Sequence, residues 1–217
     1  MKKLIIAILG FTLVCFSANA FERKVGFSAS MAMLDTTVTD DIDSNGSIDT
    51  TKDISNDVLI PSLFVEFATD LPNGGKASFG VDYIPMSAEL ESRSTTQESD
   101  GTSGTNSGTL DASNHVTAYV TLGGDVAGNH VFALAGMMYA EGEYDLKSVS
   151  STNRTGNVNI QGTKLGVGFE RDMGEGFMRV VLSDNDYDPV SATTSNATKV
   201  TADIDSTNLT VSFGRSF

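Results

Sequence analysis

Leu209-Thr210-Val211-Ser212-Phe213-Gly214-Arg215-Ser216-Phe217 closes the chain, and its alternation of large apolar with small or polar residues decides the fold. A period of two is the mark of a strand with two unlike faces. Leu209, Val211, Phe213 and Phe217 share one side; Thr210, Ser212, Gly214 and Ser216 share the other. The pattern recurs upstream. Val25, Phe27, Ala29, Met31 and Met33 oppose Gly26, Ser28, Ser30 and Ala32, while Leu59, Leu63, Val65 and Phe67 oppose Ser62, Phe64 and Glu66. Ala77, Phe79, Val81 and Tyr83 oppose Ser78, Gly80 and Asp82, and Val116, Ala118, Val120 and Leu122 oppose His115, Thr117, Tyr119 and Thr121. Thr163, Leu165, Val167 and Phe169 stand against Gly162, Lys164, Gly166, Gly168 and Glu170; Met178, Val180 and Leu182 stand against Arg179, Val181 and Ser183. A further segment, Val131 to Tyr144, is apolar on both faces. Setting Glu141 and Glu143 inward there turns Phe132, Leu134 and Met138 outward. Eight strands result.

A soluble sandwich also alternates, so the connections carry the distinction. Asp70–Gly75, Gly123–Asn129 and Arg171–Gly176 are tight, Gly- and Asn-containing turns. Between them lie long stretches rich in Ser, Thr, Asp, Asn and Gly: Thr37–Asp57, Glu91–Asn114, Lys147–Asn157 and Asp188–Lys199. Connections that alternate short and long are those of a membrane barrel with periplasmic turns and extracellular loops. The loop from Ser92 to Ser113 has one large apolar residue, Leu110, and is expected to be mobile. Aromatic residues agree with two interface girdles. Phe27, Phe67, Phe79, Phe132, Phe169, Phe177 and Phe217 fall at short-turn or terminal ends, and Tyr83, Tyr144 and Tyr187 near long-loop ends. One irregularity remains: Val200, Ala202 and Ile204 have the parity opposite to Leu209, Val211 and Phe213. Either the last strand bulges or its upper part stands above the membrane.

The first twenty residues read differently. Lys2 and Lys3 precede an apolar run from Leu4 to Phe16, and Ala18-Asn19-Ala20 supplies small residues before Phe21. This is a secretory signal peptide, too short to span a bilayer, and it leaves 21–217 as the barrel domain. Losing its two lysines takes the formal charge from −14 to −16 and removes Cys15, the one cysteine. The mature chain therefore has no disulfide, zinc-thiolate cluster or thiol nucleophile. So acidic a chain does not bind nucleic acid through a basic patch. It suits a surface carrying divalent cations. After Ala20 no stretch is long and apolar enough for a transmembrane helix.

The last strand, with alternate apolar positions and a terminal Phe217, resembles the closing strand that the barrel-assembly machinery recognises in outer-membrane proteins; Arg215 departs from the aromatic often found two residues before the end. Gly166-Val167-Gly168-Phe169-Glu170, followed by Arg179 on the next strand, looks like the small eight-stranded OmpA/OmpX-like barrels. The resemblance implies a plugged barrel inserted in the outer membrane. The chain is accordingly expected to be an all-β, antiparallel up-and-down barrel of eight strands, a monomer with lipid and lipopolysaccharide around it. Fold at this level does not settle function.

Inward candidates are Glu66, Asp82, His115, Tyr119, Lys164, Glu170 and Arg179. An eight-stranded barrel is just wide enough for side chains to fill. Both charge signs are present, so Glu66, Asp82, Lys164, Glu170 and Arg179 read as a paired lumenal network, because buried charges need partners. Alternative pairings of the same groups would make an ion path. In the first long loop, Asp41-Ile42-Asp43-Ser44-Asn45-Gly46-Ser47-Ile48-Asp49 follows the start of an EF-hand-type calcium loop. Asp41, Asp43, Asn45, Ser47 and Asp49 would offer oxygens to Ca2+, with Gly46 permitting the sharp turn. Lys52 stands where the bidentate Glu belongs, so the site is weak or completed by Asp53 or Asp57. No other cofactor is indicated.

Barrel enzymes that modify lipid A need His, a hydroxyl and a carboxylate in mutual reach. His115 and His130 are the only histidines. His115-Val116-Thr117 is weakly like a His-x-Ser pair without an evident carboxylate, and His130 abuts a short turn, so the chain is not expected to be an enzyme. Asn153-Arg154-Thr155, Asn196-Ala197-Thr198 and Asn208-Leu209-Thr210 match the glycosylation pattern by chance in a Thr-rich chain. Three functions are compatible with these residues: a structural or surface-interaction role for acidic loops, a narrow pore or small-solute conduit, and lipid-modifying catalysis.

Overall fold

The computed structural model describes residues 21–41, 47–72, 74–99, 102–147, 154–193 and 199–217. The signal-peptide reading of residues 1–20 lies outside them. The strands are β1 (Glu22–Asp41), β2 (Thr50–Asp70), β3 (Gly75–Ile84), β4 (Ala88–Ser99), β5 (Thr102–Val126), β6 (Asn129–Lys147), β7 (Arg154–Met173), β8 (Gly176–Thr193) and β9 (Lys199–Ser216). Every neighbouring pair is antiparallel. β3 and β4 are two parts of one stave broken at Pro85, and both pair with β5. The ring β1-β2-β3-β5-β6-β7-β8-β9 returns to β1, giving eight positions around the barrel. Lys24 pairs with Ser216 at the seam, and Arg23 and Phe217 exchange backbone hydrogen bonds of 3.2 and 2.9 Å.

The lower half of the barrel puts its apolar residues outside. Phe27, Met31, Leu63, Leu122, Leu165, Val167, Leu182 and Leu209 are all exposed, while Lys24, Ser28, Ser62, Glu66, Glu170, Arg179 and Ser212 are buried in the lumen. An apolar band around a whole barrel cannot face water at tolerable cost; it faces hydrocarbon. From Val25 to Met33 the band has the ~9-residue height a tilted strand needs to cross a bilayer.

Above the band the faces exchange roles. Leu34, Val38, Leu110, Ala140, Ile160 and Ile204 are buried inside, and Asp35, Asp57, Asp184, Asp186, Asp203 and Asp205 are outside. Two clusters, one around Ala112, Ala140, Ile160 and Val190 and one around Leu34, Leu110 and Ile204, form a core like that of a water-soluble barrel. This resolves the parity of Val200, Ala202 and Ile204. β9 stays in unbroken register with β1 up to Lys199, so the upper part stands outside the membrane. The irregularity on that side belongs to β8, whose pairing with β9 slips between Tyr187 and Val190, where Pro189 has no N–H to offer.

Three expectations need correction. The β6 phase is the reverse of the one set by Glu141 and Glu143. Phe132, Leu134 and Met138 point into the lumen, and Val131, Ala133, Ala135 and Met137 face outward. Glu141 and Glu143 lie above the band, where an outward carboxylate meets water and needs no lumenal partner. Phe132 and Phe177 are likewise not girdle residues but buried, as are the inward-turned Tyr144 and Tyr187 in part. Much of the long polar connections is strand: β4 and β5 pair as far as Ser99–Thr102, so the described residues of the stretch Ser92–Ser113, expected as a mobile loop, form a ladder. A polar upper strand with water outside and backbone pairing beside it needs no apolar alternation to persist.

One stretch of wall lacks a ladder. β2 pairs with β3 only from Leu63 to Asp70, and among the described residues its upper part, Thr50–Ser62, pairs with β1 alone. Among the described residues β4 pairs with β5 alone. Pro61 and Pro85 flank this break, as expected of residues that suit strand edges. Beside it, along the β3/β4 junction, the β5–β6 register shifts between Ser113 and Val116, and Asn114 adopts φ 51°.

Candidate functional site

The lumen has two layers. Near the short turns, Arg179 sits between two carboxylates. Its Nη1 and Nη2 donate to Glu66 at 2.7 and 2.8 Å, and its Nε and Nη2 donate to Glu170 at 2.9 and 2.5 Å. Lys24 donates to the other oxygen of Glu170, and Tyr119 donates its hydroxyl to Glu66 at 2.9 Å. All five side chains are buried. Two cations meet two anions, so the group is neutral and its oxygens are bonded, the condition under which a buried ion cluster is tolerated.

Aromatic rings seal the gaps. The Arg179 guanidinium lies 5.3–5.5 Å from the centroids of Phe64, Phe132 and Phe177, and Lys24 lies 5.2 Å from Phe177. The rings fit because glycines lie under them. A Cβ on Gly26 would strike Phe64, one on Gly80 Tyr119, one on Gly168 Phe132, and one on Gly214 Phe177. The small residues of the inward faces are thus the sockets of the plug.

The second layer lies above. Ser28 bonds Ser212, Ser30 bonds Thr210, and Ser62 donates to Asp82; Ser78 bonds Thr121 on the short-turn side of the Gly80–Tyr119 pair, at the plug. Asp82 and Lys164 face one another across this layer without a direct ion pair among the described residues. His115 meets the Tyr187 hydroxyl through Nε2 at 3.3 Å, and its Nδ1 has no partner. A cavity of about 100 Å³ occupies this level.

The structure therefore splits the sequence-derived lumenal set. Glu66, Glu170 and Arg179 come together in the plug; Asp82, Lys164 and His115 form the layer above. Lys24 and the ring set Phe64, Phe132 and Phe177 were missed as plug members. The available signal was a glycine on the inward face opposite each ring. Of the proposed calcium ligands, Asp43 and Asn45 lie outside the described residues, whereas Asp41, Ser47 and Asp49 lie within them near the top of the first hairpin. His130 contacts Asp125 at 3.2 Å and stacks on Phe132 beside the β5–β6 turn.

No protein-family model matches the chain, and no curated protein matches it. Solved structures are similar to it in fold. The outer membrane protease OmpT from Escherichia coli is 7% identical, with 93% of this chain and 99% of that one covered at a TM-score of 0.50. OprG from Pseudomonas aeruginosa is 15% identical over 91% and 96%, at 0.49. Ail, the attachment invasion locus protein of Yersinia pestis, is 8% identical over 91% and 99%, at 0.44. The continuous apolar belt and the closed eight-position ring lead to one conclusion: the chain is a transmembrane β-barrel of the outer-membrane kind, with its upper half exposed at the surface.

Proposed function

We propose that this barrel is a surface-facing, non-conducting protein of the outer membrane whose working part is the acidic upper half, serving surface interaction or envelope integrity as a monomer among lipid and lipopolysaccharide. One observation carries the reading. The barrel continues well beyond the membrane band with an apolar core of its own, around Leu34, Leu110, Ile160 and Ile204, and a polar outer wall. A chain that needed only to cross the bilayer would not need a second core there. The plug of Arg179, Glu66, Glu170 and Lys24 supports the non-conducting part, since hydrated ions would have to break a bonded, desolvated cluster. Weak calcium binding by Asp41, Asp43, Asn45, Ser47 and Asp49 belongs to the same surface reading.

Planar-bilayer recording tests the proposal. The purified barrel should give no stable single-channel steps, and Arg179→Ala should introduce them. Regular ion-selective steps from the unaltered protein would establish the pore reading instead.

A further inference from the structure

The wall above the membrane has a free edge. β2 from Asp53 to Ile60 pairs with β1 on one side. On the other side no strand adjoins it among the described residues, because β3 joins β2 only from Leu63 downward and β4 pairs with β5. Alternate residues of an antiparallel strand turn both N–H and C=O to the same side. Every second residue of this stretch therefore offers a donor and an acceptor to the vacant side, which is a template for one more strand. Sheets commonly blunt such edges with proline or an inward charge. Here Lys52 and Pro61 stand at the two ends, and neither device interrupts the stretch between them.

The two faces of the edge specify what an added strand must look like. Inward lie Ile54, Val58 and Ile60, all half-buried. Val58 packs on the core of Leu34, Leu110 and Ile204, and with Ile60, Ile84 and Met86 it lines a cavity at the break in pairing. Met86 is 56% exposed. The upper core is thus unfinished on this side, and apolar residues of an added strand would cover it.

Outward lie Asp53 and Asp57, with Asp35 beside them on β1. The hydroxyls of Thr37 and Ser55 donate to Asp53 and Asp35 at 2.8 and 2.6 Å, which holds these carboxylates without neutralising them. An incoming strand sets every second side chain against this acidic face, and opposite charges in facing pairs are favourable. Basic residues are wanted outside and apolar ones inside. A second copy of the chain fits badly: two edges paired about Ser55 would set Asp53 against Asp57, and each chain carries a formal charge of −14.

We propose that Asp53–Ile60 binds an extended segment of another polypeptide, one that alternates apolar with basic residues, by adding it as a strand to the upper wall. Its apolar side chains lie over Val58 and Ile60, and its basic side chains lie beside Asp53 and Asp57. The proposal rests on the surface-interaction reading, which places this edge outside the cell. Its test does not involve conductance, so either can fail alone.

Fluorescence anisotropy tests this with the mature barrel in phosphatidylcholine nanodiscs and empty nanodiscs as the blank. The probe is a labelled peptide of alternating valine and lysine, as long as Asp53–Ile60. Saturable binding is expected, at least about tenfold tighter than for the same residues arranged as a valine block and a lysine block. A peptide of alternating valine and glutamate should not bind. No saturable binding, or equal binding of the block peptide, overturns the proposal. N-methylation of alternate peptide residues removes the N–H groups facing β2 in one of the two possible sets, so at least one set should abolish binding; retention in both overturns strand addition. Asp57→Lys should weaken the lysine peptide several-fold and admit the glutamate peptide, whereas unchanged affinities would remove the acidic face from recognition. Hydrogen exchange should show new protection within Asp53–Ile60 and none on β8; protection confined to other strands places the peptide elsewhere and overturns the assignment. A dimer of barrels in zwitterionic micelles that the peptide displaces would give the edge to a second copy and overturn the choice of partner.

Discussion

The lower and upper halves of this barrel are made from the same strands, yet their faces are opposite in character. On β1, Met31 and Met33 face outward below and Asp35 faces outward above; inward, Ser28 and Ser30 give way to Leu34 and Val38. On β9 the sequence Ile204 to Leu209 makes the same exchange without a bulge in its pairing to β1. Backbone geometry cannot tell the halves apart. The surroundings can: hydrocarbon outside requires polar groups to pair within the lumen, and water outside requires an apolar interior. The inversion therefore marks the membrane surface on each strand, at Met33/Asp35, Leu59/Asp57 and Leu182/Asp184.

Five substitutions would break or sharpen this contrast. The largest effect is expected from Arg179→Ala, which leaves the buried Glu66 and Glu170 without their principal cation. A loss of roughly 3–5 kcal/mol is expected for an uncompensated buried charge, read as a fall in the urea midpoint of the barrel in lipid vesicles. Next is Val167→Arg in the belt, expected to cost about 2–4 kcal/mol near the bilayer centre, whereas Thr163→Arg, two outward positions above it, should change stability by no more than about 0.5 kcal/mol. Equal costs for the two would put the boundary on β7 in the wrong place.

Ile160→Val trims the upper core and should cost about 0.5–1.5 kcal/mol. Hydrogen exchange should then show lost protection for upper-half amides and none for those around Arg179. Uniform loss would mean that the halves unfold as one unit. The smallest change is at Ala127, whose φ of 51° places an alanine in the left-handed region of the β5–β6 turn. Ala127→Asn should stabilise the barrel by up to about 1 kcal/mol, seen as a small rise in the same urea midpoint.

Much of the fold was legible in the sequence, because strict alternation over the belt leaves little freedom. Val25–Met33 and Leu209–Phe217 each have a single sensible phase. Val131–Tyr144 does not: Phe132, Leu134 and Met138 are as apolar as Val131, Ala133 and Met137, and two glutamates above the membrane misled the assignment. The lining of the lumen was legible as a set of charges, but not its division into two layers. Arg179 meets Glu66 across 113 positions of sequence, and Lys24 meets Glu170 across 146, so these pairings depend on ring closure and not on local pattern. The upper strands were hidden for a different reason. Ser-, Thr- and Asp-rich sequence reads as loop, and β4 has no apolar stripe to contradict that reading.

The seam between β1 and β9 has a consequence for how the protein comes to exist. β1 pairs with β2 but meets its other neighbour only in the final strand, so no amount of early zipping can complete the cylinder. Until Phe217 arrives beside Arg23, one edge of the nascent sheet stays open and its band of Leu, Met and Phe lacks a finished wall to sit in. Such a topology is slow to close and exposed to misassociation meanwhile. Keeping the exported polypeptide unfolded up to the membrane is thus a requirement written into its strand order.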